Sequence, residues 1–199
     1  KCLVCPIDVT DEVSVEKAAL FVKEKMGGLD ILINNAAVGR GNTPLQDVSL
    51  EEWNSAITTN LTGTFLAMKH FGRIMITQRS GKIINLTSLA ARAVFADACT
   101  GAYDCSKAGI ECLTRCMAAE WAKYNVHVNG ISPGLFMTDI NKGFCDENKD
   151  FYDIVTKKIP LARWGKPEEV GPLALYLCSD AAGYINGADF HIDGGYALW

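Results

Sequence analysis

Short apolar runs alternate with longer helical patterns along this 199-residue chain. The runs at 3–7, 29–33, 83–86, 126–131 and 189–192 are typical of buried strands, and helical periodicity follows each of the first four. Strands that alternate with helices form a parallel sheet, because each helix returns the chain to the edge where the next strand begins. The alternation therefore predicts a single α/β domain that occupies the whole chain.

Start and stop signals support this division into helices. Thr10 can cap the first helix, and Gly27 is placed to end it. Ser49 and Glu52 have the spacing of a capping box, which predicts the start of a long helix. Pro167 is suited to the first turn of the last helix.

The charge balance argues against several kinds of partner. The chain has 19 basic and 23 acidic residues, a formal net charge of −4, and no run of basic residues. Neither nucleic acid nor an anionic membrane surface is therefore an expected partner. Since no apolar stretch approaches the roughly 20 residues that cross a bilayer, we expect a cytoplasmic protein.

The cysteines include two spacings that could bind a metal or support redox chemistry, Cys2-x-x-Cys5 and Cys112-x-x-x-Cys116. A structural zinc site needs about four ligands, and the chain offers no second Cys-x-x-Cys pair. We therefore expect no metal site. The eight cysteines are expected to be free, mostly buried thiols.

Tyr103 and Lys107 are the residues that most directly suggest chemistry. They lie four positions apart in a predicted helix, so their side chains project from the same face. A phenol is a poor base at neutral pH, and a neighbouring ammonium group favours its deprotonated form. The pair is therefore suited to moving a proton to or from a substrate oxygen.

That spacing is common by chance, and the order of several further motifs makes it specific. The motifs are Asn34-Asn35-Ala36-Ala37 after an apolar run, Asn60 in Thr-Asn-Leu-Thr-Gly, Ser88 at the end of a predicted strand, Tyr103-x-x-x-Lys107, and Pro133-Gly134. With these motifs in this order, the chain resembles the short-chain dehydrogenase/reductase family from Asp8 to Gly195. The resemblance implies a Rossmann-like doubly wound parallel sheet with flanking helices, and NAD or NADP as cofactor.

The resemblance also implies a role for each catalytic candidate. Tyr103 would be the general acid/base, and Lys107 would support it and bind the nicotinamide ribose. Ser88 would orient the substrate oxygen, with Thr87 as the alternative hydroxyl. Asn60 would position a water molecule behind Lys107 and would require a local distortion of its helix.

Further residues resemble the cofactor contacts of the family. Ala37 departs from the pattern, because the family usually has glycine at that position. In addition to Tyr103 and Lys107, the implied contacts are Asp8 and Val9 for adenine, Asn35 and Ala36 for the adenosine ribose, and Pro133, Gly134, Phe136 and Thr138 for nicotinamide.

One family feature does not occur in the first sixty residues, the glycine-rich turn that binds the cofactor pyrophosphate. We therefore expect an N-terminally truncated domain that lacks the first two strand-helix units. Segment 3–7 would then move beside strand 29–33, whose edge would otherwise be unpaired. The choice between NAD and NADP stays open, because its determinant belongs to the region that is not present.

The substrate is predicted from segments that resemble the sugar and polyol branch of the family, such as gluconate 5-dehydrogenases. Arg92 and Asp97 could bind a hydroxylated substrate, and Phe144, Phe151 and Tyr152 lie in a predicted lid over 138–160. A 3-oxoacyl-carrier-protein reductase is the alternative enzyme.

A different possibility is a non-catalytic remnant that only assembles with full-length subunits. The family resemblance implies a homo-oligomer, a tetramer in the full-length form, which makes mixed assembly conceivable.

Overall fold

The computed structural model describes residues 2–39, 43–94 and 100–198, except for the side chains at positions 140 and 144. The strands are β1 (Ile31–Asn34), β2 (Gly81–Leu86), β3 (Val126–Pro133) and β4 (Asp189–Ile192). The helices are α1 (Glu12–Met26), α2 (Leu50–Ala56), α3 (Gly63–Gln78), α4 (Gly101–Trp121), α5 (Asp139–Glu147), α6 (Lys149–Lys157) and α7 (Gly171–Cys178). A π-helical segment, Ile57–Thr62, joins α2 to α3, and short 3₁₀ turns occupy Leu89–Ala91, Ala122–Tyr124, Pro167–Glu169, Asp180–Ala182 and Tyr196–Leu198.

The strands form a parallel sheet in the order β1-β2-β3-β4. Ile33 pairs with Ile84 in the first ladder, and Ile131 pairs with Phe190 in the last. Because all the strands run in the same direction, their carboxyl ends lie at one edge of the sheet. The predicted α/β class with a parallel sheet is confirmed.

Helices cover both faces of this sheet. On one face, Met75 of α3 and Trp121 of α4 pack with Ile83 and Val128 of the central strands. On the other face, Leu177 of α7 packs against strand residues of β2 and β3. This arrangement is the doubly wound form that the family resemblance implied.

Segment 3–7 is not a strand of the sheet, so the predicted pairing with β1 is wrong. In the described part of the chain, β1 pairs only with β2, and Ile31 and Ile33 remain 44% and 50% exposed. The physical reason is the packing of α1, whose Val15 and Ala19 are buried against α3. Cys5 of segment 3–7 packs against the same cluster, so the segment lies beside these helices instead of joining the sheet.

Two predicted element boundaries shift by small amounts. Asp11, rather than Thr10, caps α1, because its carboxylate accepts a hydrogen bond from the Val13 amide. Ser49 caps α2 as predicted, since its hydroxyl accepts from the Glu52 amide. Pro167 opens a 3₁₀ turn instead of α7 itself.

The cysteines are free in the described residues, as predicted, but most of those described are not buried. Cys2, Cys105, Cys112 and Cys116 are exposed, whereas Cys145 is buried. Three of the exposed thiols lie on α4, where the sequence spacing does not distinguish an inner from an outer face. Cys99 lies outside the described residues.

Candidate active site

The Tyr103–Lys107 pair lies on α4 next to the carboxyl end of β2. The Lys107 ammonium lies 5.6 Å from the centre of the Tyr103 ring, and only 4% of the lysine is exposed. Its Nζ donates a hydrogen bond of 2.7 Å to the carbonyl oxygen of Leu86 on β2. A buried cation needs such polar partners, so the lysine is held beside the phenol by the sheet itself.

Ser88 follows the end of β2 and opens the turn Leu89–Ala91. Its hydroxyl accepts a hydrogen bond of 3.2 Å from the Ala90 amide, and its side chain is buried. The hydroxyl of Thr87 makes interior contacts instead, 2.9 Å from the Ile131 carbonyl oxygen.

Asn60 lies in the π-helical segment and is fully buried. Its Oδ1 accepts from the Val38 amide at 2.8 Å, and its Nδ2 donates to the Ser106 hydroxyl at 3.0 Å. Ser106 in turn donates to the carbonyl oxygen of Tyr103 at 2.6 Å. The predicted helix distortion is therefore confirmed, and Asn60 connects the loop after β1 to the helix that carries Tyr103. The proposed water behind Lys107 remains a prediction.

Sequence reasoning missed Ser106 as a part of this site. The residue is fully buried and lies between Tyr103 and Lys107 in the helix. A serine in the middle of a helix often bonds to the carbonyl group of the preceding turn, which could have drawn attention to it.

The residues predicted to contact the adenosine half of the cofactor lie in loops. The Asp8 carboxylate accepts bonds from the Thr10 amide at 2.9 Å and the Thr10 hydroxyl at 2.7 Å, which lower its pKa. Val9 lies against Gly63, since a Cβ at that glycine would be 2.9 Å from a Val9 methyl group. Asn35 and Ala36 are exposed directly after β1. A dinucleotide site is expected at this edge of the sheet, beyond the carboxyl ends of the strands.

The residues predicted to contact nicotinamide follow β3. Pro133 ends the strand, and Gly134 is close to Asp193, whose Cα would lie 2.7 Å from an added Cβ. Thr138 is exposed and its hydroxyl accepts from the Asn141 amide at 3.3 Å.

Phe136 does not present its ring at an open site. It is 8% exposed, and a Cβ at Gly165 would be 2.6 Å from the phenyl ring. The packing of the side chain therefore leaves its backbone as the part suited to a cofactor contact.

Arg92 forms an ion pair with Glu111 in the structure. Its guanidinium makes hydrogen bonds of 3.1 and 2.6 Å to the carboxylate of Glu111 on α4, and this bond lowers the pKa of Glu111. The expected contact of Arg92 with a substrate would have to compete with this pair. Asp97 lies outside the described residues.

The predicted lid consists of α5 and α6 with their connections. Phe151 and Tyr152 pack into an apolar cluster around Val155 and Trp164, and the Tyr152 and Trp164 rings stack with centroids 5.6 Å apart. These two aromatic groups therefore stabilise the α5–α6 segment, and its role as a lid stays a prediction. The side chain of Phe144 lies outside the described residues.

A cavity of about 150 Å³ lies against Tyr103. It is bounded by Val38 of the loop after β1, by Glu52 and Ser55 of α2, and by Ala102 at the start of α4. A carboxylate and a hydroxyl on largely apolar walls can bind a small molecule that carries hydroxyl groups.

Among the helices of the described residues, none is long and apolar enough to cross a membrane.

Known proteins match almost the whole chain. The sequence profile of the Enoyl-(Acyl carrier protein) reductase family matches residues 1–197. D-threitol dehydrogenase of Mycolicibacterium smegmatis is 39% identical over 96% of this chain and 72% of its own length. The 5-keto-D-gluconate 5-reductase of Escherichia coli K12 is 34% identical over 98% of this chain and 75% of its own. The 3-oxoacyl-[acyl-carrier-protein] reductase of Aquifex aeolicus is 38% identical over 95% of this chain and 74% of its own length.

Solved structures agree with these matches. The gluconate 5-dehydrogenase from Burkholderia cenocepacia, in complex with NADP and tartrate, superposes with a TM-score of 0.91 at 32% identity. The match covers 97% of this chain and 74% of that structure. Fold, motif order and relatives agree, and the chain belongs to the short-chain dehydrogenase/reductase family of oxidoreductases.

Proposed function

We propose that this enzyme transfers hydride between NAD or NADP and a secondary alcohol or ketone of a sugar acid or polyol. The observation that carries the proposal is the buried Lys107 ammonium, held 5.6 Å from the Tyr103 ring and bonded to the end of β2. This contact places a positive charge next to the group that would exchange a proton with the substrate oxygen. The phenol is thereby suited to donate a proton to the substrate oxygen during reduction and to remove it during oxidation.

The other catalytic candidates have roles that their contacts support. Ser88 would donate a hydrogen bond to the substrate oxygen and orient it. Asn60 would hold the backbone at Val38 and, through Ser106, the first turns of α4. This connection keeps Tyr103 in place before substrate binds, which reduces the cost of orienting the reacting groups.

The residues present fit the nicotinamide half of a cofactor. Lys107 offers an ammonium donor, and the carboxyl ends of β1, β2 and β3 lie at the same edge of the sheet. Tyr103, Lys107, Pro133, Gly134 and the backbone at Phe136 would hold this half. The bound nicotinamide supplies or accepts the hydride. Asp8, Val9, Asn35, Ala36 and Thr138 complete the proposed set of contacts.

A sugar acid or polyol is favoured by two observations. The cavity at Tyr103 includes Glu52 and Ser55, whose oxygen atoms can bond to hydroxyl groups. The relatives named for threitol and 5-ketogluconate align along nearly the whole chain. The Aquifex relative supports the alternative, a 3-oxoacyl-carrier-protein reductase.

We also propose that the protein works in the cytoplasm as a homo-oligomer, a tetramer in the full-length form. Free thiols in the described residues are consistent with a reducing compartment. A non-catalytic assembly partner remains the alternative of a different class. Light scattering coupled to size-exclusion chromatography distinguishes these states, and an inert monomer would contradict both oligomeric hypotheses.

The direct test is a fluorescence titration of the purified chain with NADH and NADPH, followed by turnover assays. D-threitol, 5-ketogluconate and acetoacetyl thioester are compared as substrates. We expect cofactor binding, and turnover of the first or second compound when the cofactor is near saturation. Preference for the thioester would support the alternative enzyme, and cofactor binding without any turnover would contradict the proposed substrate class.

A variant connects the activity to the site. Tyr103→Phe should lower kcat by at least ~100-fold, because it removes the acid/base group. Tyr124→Phe, at the far end of the same helix region, is the matched control. Equal activity of the two variants would remove Tyr103 from the mechanism.

A further inference from the structure

The segment that carries Ser88 is attached at both ends by side chains outside the proposed chemistry. Thr87 precedes Ser88, and its hydroxyl oxygen lies 2.7 Å from Oδ1 of Asp189 on β4. Arg92 follows four residues after Ser88 and bonds to Glu111 on α4. The proposed substrate-orienting hydroxyl therefore lies between two long-range attachments.

Asp189 reaches Thr87 across the strand that separates them. Gly130 of β3 is the residue paired with Asp189, and a Cβ at Gly130 would overlap Oδ1 of the aspartate. Because Gly130 has no side chain, the carboxyl group of Asp189 has space to extend from β4 past β3 to the end of β2.

The hydrogen-bond inventory favours a neutral Asp189. The Thr87 hydroxyl lies within hydrogen-bonding distance of two oxygen atoms. These are the carbonyl oxygen of Ile131 at 2.9 Å and Oδ1 of Asp189 at 2.7 Å. A hydroxyl has one hydrogen, so it can donate to only one of them. A protonated Asp189 can donate to Thr87 while Thr87 donates to Ile131, and both short contacts are then hydrogen bonds. In addition, Oδ2 of Asp189 is buried without a hydrogen-bond partner among the described residues, which disfavours a charge there.

The surroundings agree with this assignment. Burial raises the pKa of Asp189, and the negative charge of Glu111 adds to the effect. The Thr87 hydroxyl, His191 and Arg92 act in the opposite direction and leave the pKa above its ordinary value. Arg92 and Arg115 both bond to Glu111, so their positive charges are largely compensated by that carboxylate.

We propose that Asp189, as the neutral acid, is a positioning residue that holds Ser88 in place through Thr87. This proposal rests on the role of Ser88 in the proposed function. The Thr87 contact fixes the start of the turn that Ser88 caps, and the Arg92–Glu111 pair fixes its end. Displacement of the turn by 1 Å would be enough to reduce turnover strongly, since orientation of a substrate oxygen is sensitive to such shifts.

The test compares Asp189→Ala with Asp189→Asn. The asparagine amide can still donate to Thr87, so it should keep kcat within about twofold of the parent, whereas alanine should lower kcat about tenfold. Cofactor affinity should not change in either variant. Asp180→Asn, at an exposed carboxylate, is the matched control. The proposal would be overturned if Asp189→Asn lowered kcat as much as Asp189→Ala, or if neither variant lowered it.

A second measurement needs neither cofactor nor substrate. The Ala90 amide donates to Ser88, so its hydrogen-exchange rate reports whether the turn is held. Exchange should accelerate in Asp189→Ala and not in Asp189→Asn, and unchanged exchange in the alanine variant would overturn the proposal. Altered exchange in a protein that turns over none of the substrates would support the attachment and refute the proposed function instead.

The protonation state is tested by pH-dependent stability. A raised pKa in the folded state means that stability is lost as pH rises through that value. Asp189→Asn should therefore gain stability relative to the parent between pH 4 and neutral pH, as measured by urea unfolding. The carboxyl carbon of Asp189 should also titrate above the ordinary aspartate value of about 3.9 in an NMR experiment. A titration midpoint below the pH of the turnover assays would overturn the neutral form.

Discussion

Replacement of Asn60 by alanine should destabilise the protein by about 2–3 kcal/mol. The side chain is fully buried and bonds to the Val38 amide and to the Ser106 hydroxyl. Loss of the acceptor leaves the half-buried Val38 amide unsatisfied, which costs roughly 1–2 kcal/mol, and loss of the second bond costs about 1 kcal/mol. The π-helical distortion also loses the interaction that requires it, so the variant helix should relax toward regular α-helical geometry.

Urea unfolding at 25 °C, followed by far-ultraviolet circular dichroism, measures this loss. Asn54→Ala is the matched control, because Asn54 is an exposed asparagine on α2, six residues before Asn60 in the same long helix. The control should stay within about 0.5 kcal/mol of the parent, as exposed substitutions usually do. If Asn60→Ala matched the control, the connection between the Val38 loop and α4 would not contribute to stability as argued.

Three further outcomes are expected. Ile33→Lys places a charge on the exposed edge strand, so it should slow aggregation in a light-scattering assay, and faster aggregation would contradict the edge as its source. Gly72→Ala puts a methyl group 2.5 Å from the Trp121 ring, so the free energy of unfolding should fall by about 1–2 kcal/mol despite the better helix propensity of alanine, and a gain in stability would contradict that packing. The pKa of Glu169 is about 2 because Arg163 bonds to it, so Arg163→Gln should raise that pKa toward 4.5 in an NMR titration, with no change if the pair does not form in solution. The stabilisation by this pair should be lost as pH falls through the folded-state pKa and should weaken with salt.

The sheet could be predicted from the sequence where local patterns and long-range packing agree. The runs that became β1 to β4 are short and apolar, and each is bounded by turn or capping residues, so local propensity and burial favour the same structure. Segment 3–7 has the same local pattern but no partner strand in the described residues. Its position depends on a cluster of α1 and α3 residues against which Cys5 packs, and α3 lies far later in the chain.

The site divides in the same way. Tyr103 and Lys107 could be paired from the sequence because the helix fixes their relation over four residues. Ser106 escaped notice because its importance depends on Asn60, 46 residues earlier. Asp189 escaped notice because its contact with Thr87 joins residues 102 positions apart across a third strand. Such contacts depend on strand order and register, which a single sequence does not specify.

The contacts also separate two functions that the fold combines. Asn60 and Lys107 are held by hydrogen bonds to described residues of the loop after β1, β2 and α4, and the turn of Ser88 is attached at both ends. None of these bonds requires a bound cofactor. The candidate catalytic groups should therefore keep their arrangement in the free protein, whereas the proposed adenosine contacts at Asn35 and Ala36 lie in an exposed loop. A weak cofactor affinity would accordingly lower turnover at low cofactor concentration without displacing Tyr103, and it would be overcome by raising that concentration.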